Sequence, residues 1–344
     1  MTIYYPKHHC NTSNKAHLFP LIGFLEKKVV KDFQIVDDVN DSDVVLLPLT
    51  WNYYHNKGKL NVAITFIKKI NALGKVVYTY NAGDNGVNVP KNLNVIIFRN
   101  CGDALQKTSQ EKIIPFFLTD PLQSIFNQQD FKKRSYHNQP TVGFCGQANA
   151  SRYNAAKEII RIISKNVLYY IGVQKELPQK IQSTTFIRAK ILKRIENSTG
   201  IKSNFIRRKQ YRAGATTKKQ RQVTTLEYYQ NMMDSDYIVC IRGAGNFSVR
   251  LYETLAMGRI PVFINTNCML PLDDIINWKE HMVWVDFDEI DKINDLILAH
   301  YNKMNTEHLN SLFSKNRIMW QEHLGMLDFF KKSFTHIEHS SSHE

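Results

Sequence analysis

Short continuous apolar runs alternate along most of the chain with stretches whose apolar residues recur every three or four positions. That rhythm predicts strands interleaved with helices, the signature of an α/β protein built on parallel sheets. In the first half, residues 1–5, 44–49, 76–80, 95–98 and 113–117 read as strands. Trp51, Tyr53 and Tyr54 read as an aromatic loop, and Val62, Phe66, Ile67 and Ile70 mark a helix ending at Gly74. A turn-rich loop, 81–86, follows a strand, which is where open α/β sheets place ligands. The polar passage 123–140 reads as a linker.

The second half restarts with a strand at 141–146 and a helix at 153–164, capped by Ser151. Phe186, Ile187, Ile191, Leu192 and Ile195 recur at helical spacing, and 203–206 reads as a strand. The pattern then predicts a helix at 226–233, a strand at 237–241, a helix at 247–257 and strands at 260–264 and 282–285. Helices near 289–301 and 307–330 precede a Ser/His tail, 338–344, expected to be disordered. The division expected is an N-terminal Rossmann-like domain, 1–138, a second one, 139–330, and a C-terminal extension with a polar tail, 331–344.

At 344 residues with 43% hydrophobic residues, the chain can bury two cores. No run approaches the 18 or more apolar residues of a spanning helix, and residues 1–15 lack the pattern of a signal peptide or anchor. Five scattered cysteines argue against a disulfide framework or a structural zinc site. The net charge of +14 asks for an anionic partner. Thirteen Lys and Arg lie between Lys180 and Arg221 against Glu196 alone. Only Phe186, Phe205 and Tyr211 interleave that block, too few for a single-strand nucleic-acid groove, so phosphate or membrane-surface attraction fits as well.

The chemistry concentrates in residues 238–253. A buried strand runs into a loop where Gly243 and Gly245 permit close approach beside Asn246, and the next helix offers unpaired amides and a positive dipole end. Ser248, Arg250 and Arg242 could give a diphosphate a hydroxyl and two guanidinium groups, and Glu253 could reach a ribose. The plainer alternative is a glycine turn with Arg250 and Glu253 as an intrahelical ion pair. Neither a dinucleotide fingerprint nor a P-loop is present. The Asp-x-Asp triplets at 41–43, 234–236 and 286–288 precede strands or cap a helix, so no metal site is expected.

Between Tyr229 and Trp278 the chain carries Ser235-Asp236-Tyr237, then Arg242-Gly243-x-Gly245-Asn246-x-Ser248-x-Arg250-x-x-Glu253, Gly258-Arg259-Ile260-Pro261-Val262, Leu270-Pro271 and Ile276-Asn277-Trp278. This run resembles the exostosin-type glycosyltransferases, glycosyltransferase family 47. Weaker echoes lie at 45–48, Ala82-Gly83-Asp84, 111–115 and 142–146 with Arg152.

The resemblance implies a GT-B fold, two Rossmann-like domains facing a cleft. It also implies an inverting, metal-independent transfer from a nucleotide diphosphate sugar, with UDP as the nucleotide and no further cofactor. Carried over by position, Arg242, Ser248 and Arg250 meet the diphosphate and Glu253 the ribose, with Gly243, Gly245 and Asn246 shaping the donor loop. Inversion needs one general base from the N-terminal domain. Asp84 is the first choice, with His8, Asp103 and Asp120 as alternatives. Arg207 and Arg212 are candidates for phosphate or acceptor contacts.

Eukaryotic members carry a Golgi anchor and none is read here. Cytoplasmic synthesis of a surface polysaccharide is therefore expected, with a glycan or lipid-linked glycan acceptor, peripheral contact at the inner membrane surface and no nucleic acid. The competing readings are a catalytically inactive partner subunit and a basic nucleic-acid-binding protein.

Overall fold

The computed structural model describes residues 1–28 and 30–341. Six strands form the first sheet: β1 (Thr2–Tyr4), β2 (Gln34–Ile35), β3 (Val44–Leu46), β4 (Val77–Asn81), β5 (Val95–Arg99) and β6 (Glu111–Ile113). Their order is β2-β1-β3-β4-β5-β6 and every pairing is parallel. Helices α1 (Pro20–Leu25), α2 (Trp51–Asn56), α3 (Leu60–Asn71) and α4 (Pro121–Phe126) accompany it. The second sheet comprises β7 (Thr141–Gln147), β8 (Lys202–Arg208), β9 (Tyr237–Cys240), β10 (Ile260–Asn265) and β11 (Val283–Asp286), ordered β11-β10-β9-β7-β8 and again all parallel. Around it lie α5 (Arg152–Tyr170), α6 (Thr184–Glu196), α7 (Lys218–Met233), α8 (Val249–Ala256), α9 (Ile293–Tyr301), α10 (Thr306–His323) and α11 (Met326–Ser341). The fold is thus α/β with two Rossmann-like parallel sheets, as the sequence leads one to expect.

The continuous apolar runs become strands because both faces of each sheet are covered, and β3, β9 and most of β10 are buried throughout. Several elements depart from expectation. Trp51, Tyr53 and Tyr54 are not a loop but the buried side of α2, whose first turn is capped by the Thr50 hydroxyl. The strand expected at 113–117 lies earlier, as β6. Helix α7 starts well before Leu226, because Thr217 and Gln220 close a capping box. The passage 127–140 is strapped onto the second sheet rather than free. There Arg134 pairs with buried Asp236, and Tyr136 stacks on Tyr301 at 4.4 Å.

The helix expected over 307–330 is broken near Gly325 into α10 and α11. Helix α11 continues to Ser341, where a disordered tail was expected; residues 342–344 lie outside the described residues. Its Phe330 and Phe334 pack on Tyr78 and Phe98 of the first sheet and on Phe19 at the start of α1, so the chain's last helix completes the first half. Among the described residues no helix is long and apolar enough to cross a membrane.

Candidate functional site

Strand β9 hands the chain to a loop, 241–248, that lies against the first half of the molecule. Gly243 donates its N–H to the Phe247 carbonyl at 3.0 Å and so closes the loop on itself. Gly245 is needed for contact: a Cβ there would stand 2.8 Å from the Asp84 carbonyl oxygen. Asn246 is fully occupied. Its Nδ2 donates to the carbonyls of Gly102 (3.0 Å), Thr266 (3.2 Å) and Asn267 (3.0 Å), and its Oδ1 accepts from Thr266. Gly245 and Asn246 therefore join the two halves; the Gly243 amide and the Asn246 side chain, expected to face a donor, are committed to protein partners.

Ser248 occupies the cap position of α8, and its hydroxyl makes no capping bond. Two residues on, the Arg250 guanidinium lies over the Phe144 ring at 4.3 Å and donates to the Cys145 carbonyl at 3.0 Å. Arg242, buried at 9% exposure, donates to the Ala244 carbonyl at 3.0 Å. Between them stands Arg188 of α6, which donates to the carbonyls of Gln147 (3.2 Å) and Arg242 (2.8 Å). Arg208, at the end of β8, pairs with Glu227 at 2.6 Å on the other side of Cys145. The guanidinium groups of Arg188, Arg208 and Arg250 thus gather at the C-terminal end of β7, while that of Arg242 lies toward Asp84 and Asp103, and all four have a buried Nε without a partner. Burial pushes Arg188 down to about 10, with the neighbouring Arg250 acting the same way. Burial likewise lowers Arg242. Burial also opposes the charge of Arg250, but Tyr228, Cys240 and Glu253 outweigh it and raise this pKa.

Glu253 does not form the intrahelical pair. Its carboxylate accepts from the Tyr228 and Tyr229 hydroxyls, and burial raises its pKa. Arg212, in a left-handed turn at φ 50°, is close enough to act electrostatically on Glu253 and Tyr229. Arg207 points elsewhere: it pairs with Glu196 at 3.0 Å and covers the Phe205 ring. Alternation along β8 sends Arg207 outward and Arg208 inward.

Asp84 is exposed on the wall of a cleft of about 300 Å³ that it shares with Arg242, Glu158, Arg161 and Lys165. Among the alternatives for the base, Asp103 caps a short turn by accepting from Leu105 N and lies beside Arg242. Asp120 caps α4 and is held by Arg317 through both oxygens. His8 lines a separate groove with Tyr4, Phe66 and Lys69. One carboxylate of each Asp-x-Asp triplet is held by a structural partner: Thr2 for Asp43, Arg134 for Asp236, Asn265 and Trp284 for Asp286. Arg188 and Arg208 were visible in the sequence only as members of the basic block. Their burial is set by strand parity and by the docking of α6, which composition does not encode.

The exostosin GT47 domain model matches residues 6–300, taking in both sheets. A probable glucuronosyltransferase of Oryza sativa subsp. japonica is 34% identical over 72 residues, 21% of this chain and 17% of that protein. Exostosin-1 of Drosophila melanogaster is 25% identical over 118 residues, 34% of this chain and 15% of its own length. These matches span less than a fifth of either relative. Among solved structures, a complex of a point mutant of S. aureus TarM with fondaparinux, α-GlcNAc-glycerol and UDP aligns with a TM-score of 0.39 at 12% identity, over 75% of this chain and 50% of that one. With its model spanning every strand of both sheets except β1, and the loop 241–248, the chain belongs to the exostosin GT47 family.

Proposed function

We propose that this protein is an inverting glycosyltransferase that moves a sugar from a nucleotide diphosphate sugar, with UDP as the nucleotide, to a hydroxyl of a glycan acceptor in surface polysaccharide synthesis. The observation that carries this reading is the convergence of Arg188, Arg208 and Arg250 at one strand end, next to a cleft that holds both Arg242 and Asp84. Desolvated cations held by backbone carbonyls, as Arg188 and Arg242 are, are costly unless an anion completes them, and a diphosphate is such an anion.

In this mechanism the acceptor hydroxyl gives its proton to Asp84 as its oxygen attacks the anomeric carbon from the face opposite the phosphate. The bond from that carbon to the β-phosphate oxygen breaks, and the electron pair leaves with the nucleotide diphosphate. Arg188, Arg242 and Arg250 stabilise the charge gained by the leaving group, with the Ser248 hydroxyl as a further donor. Glu253, oriented by Tyr228 and Tyr229, meets the ribose.

Thermal shift with UDP and a panel of UDP-sugars tests the donor site. Ligand at 100 times its dissociation constant adds about 2.7 kcal/mol to wild type. That shift is expected to vanish in Arg188→Met and to weaken in Arg242→Lys, while Asp84→Asn keeps the shift and loses turnover. No stabilisation by any nucleotide, or an undiminished shift in Arg188→Met, overturns the assignment.

A further inference from the structure

Helix α5 is held by one face only. Its Glu158 carboxylate accepts from the hydroxyls of Ser183 and Thr185, and Asn166 exchanges two hydrogen bonds with Gln179. On the same side Arg161 and Lys165 look into the cleft that contains Asp84 and Arg242. Of its 19 residues only Ala155 is buried.

The opposite face is apolar and uncovered. Tyr153, Ile160, Val167 and Ile171 follow one another at four- or seven-residue steps, so they share one stripe, and Ile160 is 62%, Val167 51% and Ile171 65% exposed. Seventeen large apolar side chains stand exposed among the described residues, and nine of them lie between Tyr153 and Ile181. A concentration of that kind marks an interaction surface.

We propose that this face of α5, with the segment that follows it, docks onto an anionic lipid bilayer. Charge selects this occupant. Arg161, Lys165 and Lys180 line the cleft together with Glu158 and Glu176, which leaves Arg152, Lys157 and Lys175 outside it with no carboxylate of residues 152–181 beside them. Glu158 is turned inward to its hydroxyl partners, and Glu176 sits in a backbone bridge with Val87. An apolar stripe with a basic margin is the form of a helix lying in a membrane interface, where Tyr153 and Tyr170 can set apolar rings at headgroup depth. A second copy meeting the same face would oppose identical cations. On the bilayer, the cleft on the far face of α5 stands one helix diameter, ~10 Å, above the apolar stripe, within reach of the sugar that a lipid-linked acceptor presents. That consequence rests on the glycosyltransferase reading; the docking does not.

The test is flotation of the full chain with vesicles of phosphatidylcholine alone and of phosphatidylcholine and phosphatidylglycerol in equal parts, without nucleotide. Wild type is expected to float with the mixed vesicles and not with the neutral ones. Ile160→Glu combined with Val167→Glu should lower partitioning about tenfold or more, while Val62→Glu, on α3, leaves it unchanged. All three proteins should keep the wild-type melting profile and UDP response, so a failed donor site and a failed docking face are separately visible. Equal partitioning of the double variant, no flotation with either vesicle, or a wild-type dimer in sedimentation that the double variant dissolves would each overturn the proposal.

Discussion

A carboxylate three residues after an arginine on a helix invites a pairing, yet Glu253 and Arg250 each find other partners. Glu253 is enclosed with two tyrosine hydroxyls, and burial holds its carboxyl above the ordinary 4.5. The folded protein then keeps this proton to higher pH than the unfolded chain. The stability it contributes is therefore present below the ordinary carboxylate range and lost as pH rises through the folded value. In calorimetry, the melting temperature of wild type relative to Glu253→Gln is expected to fall as pH rises above the ordinary carboxylate range; a constant difference would sink this account. The sequence displayed Arg242, Arg250 and Glu253 at the right spacing because all three sit on or beside one loop. Arg188 was hidden in a run of basic residues, since its role depends on where α6 packs. Asn246 looked like a ligand contact because a motif shows which residue is present, not which way its amide points.

Among the elements, α7 depends most on a residue outside itself. Arg259 is fully buried and donates to the carbonyls of Met232 (3.3 Å), Met233 (2.8 Å), Gly258 (3.0 Å) and Lys132 (2.8 Å), with its guanidinium over the Phe313 ring. It thereby satisfies the last carbonyls of α7 and ties down the passage between the two halves. Arg259→Met removes all four of these hydrogen bonds from a buried site and is expected to cost about 3–5 kcal/mol in denaturant unfolding. A loss below about 1 kcal/mol would show that water or rearrangement replaces it. Strands were the most legible elements because buried parallel strands are unbroken apolar runs. Helix α2 was not, since six residues that are mostly aromatic show no period. The first turns of α7 were missed because Lys218 to Arg221 are polar throughout and only the capping box marks their start.

At the scale of the molecule, each sheet has a cluster of its own on one face, and a third cluster is shared between them. A single cluster of buried residues runs from Ile3, Phe19 and Phe98 through Phe330 and Phe334 to Leu255, Phe263 and Trp320. Backbone bridges at Asp103–Cys268 and Val87–Glu176 pin the cleft on two sides. Heat should therefore unfold both halves in one calorimetric transition, and Phe330→Ala should lower that transition as a whole by about 3–5 kcal/mol. Two resolved transitions, with only one of them moved, would refute the shared core. The pattern of the chain displayed two sheets, but nothing in it showed that residues after 326 belong with the first, since amphipathicity does not name the face it will cover.

The return of α11 to the first sheet bears on how the protein is made. A ribosome releases β1 to β6 long before it reaches Phe330 and Phe334, and at ordinary elongation rates the interval is on the order of tens of seconds. Throughout that time the aromatic surface of Phe19, Tyr78 and Phe98 lacks its cover. The nascent first half is thus a natural client for a chaperone, released only when the last helix arrives.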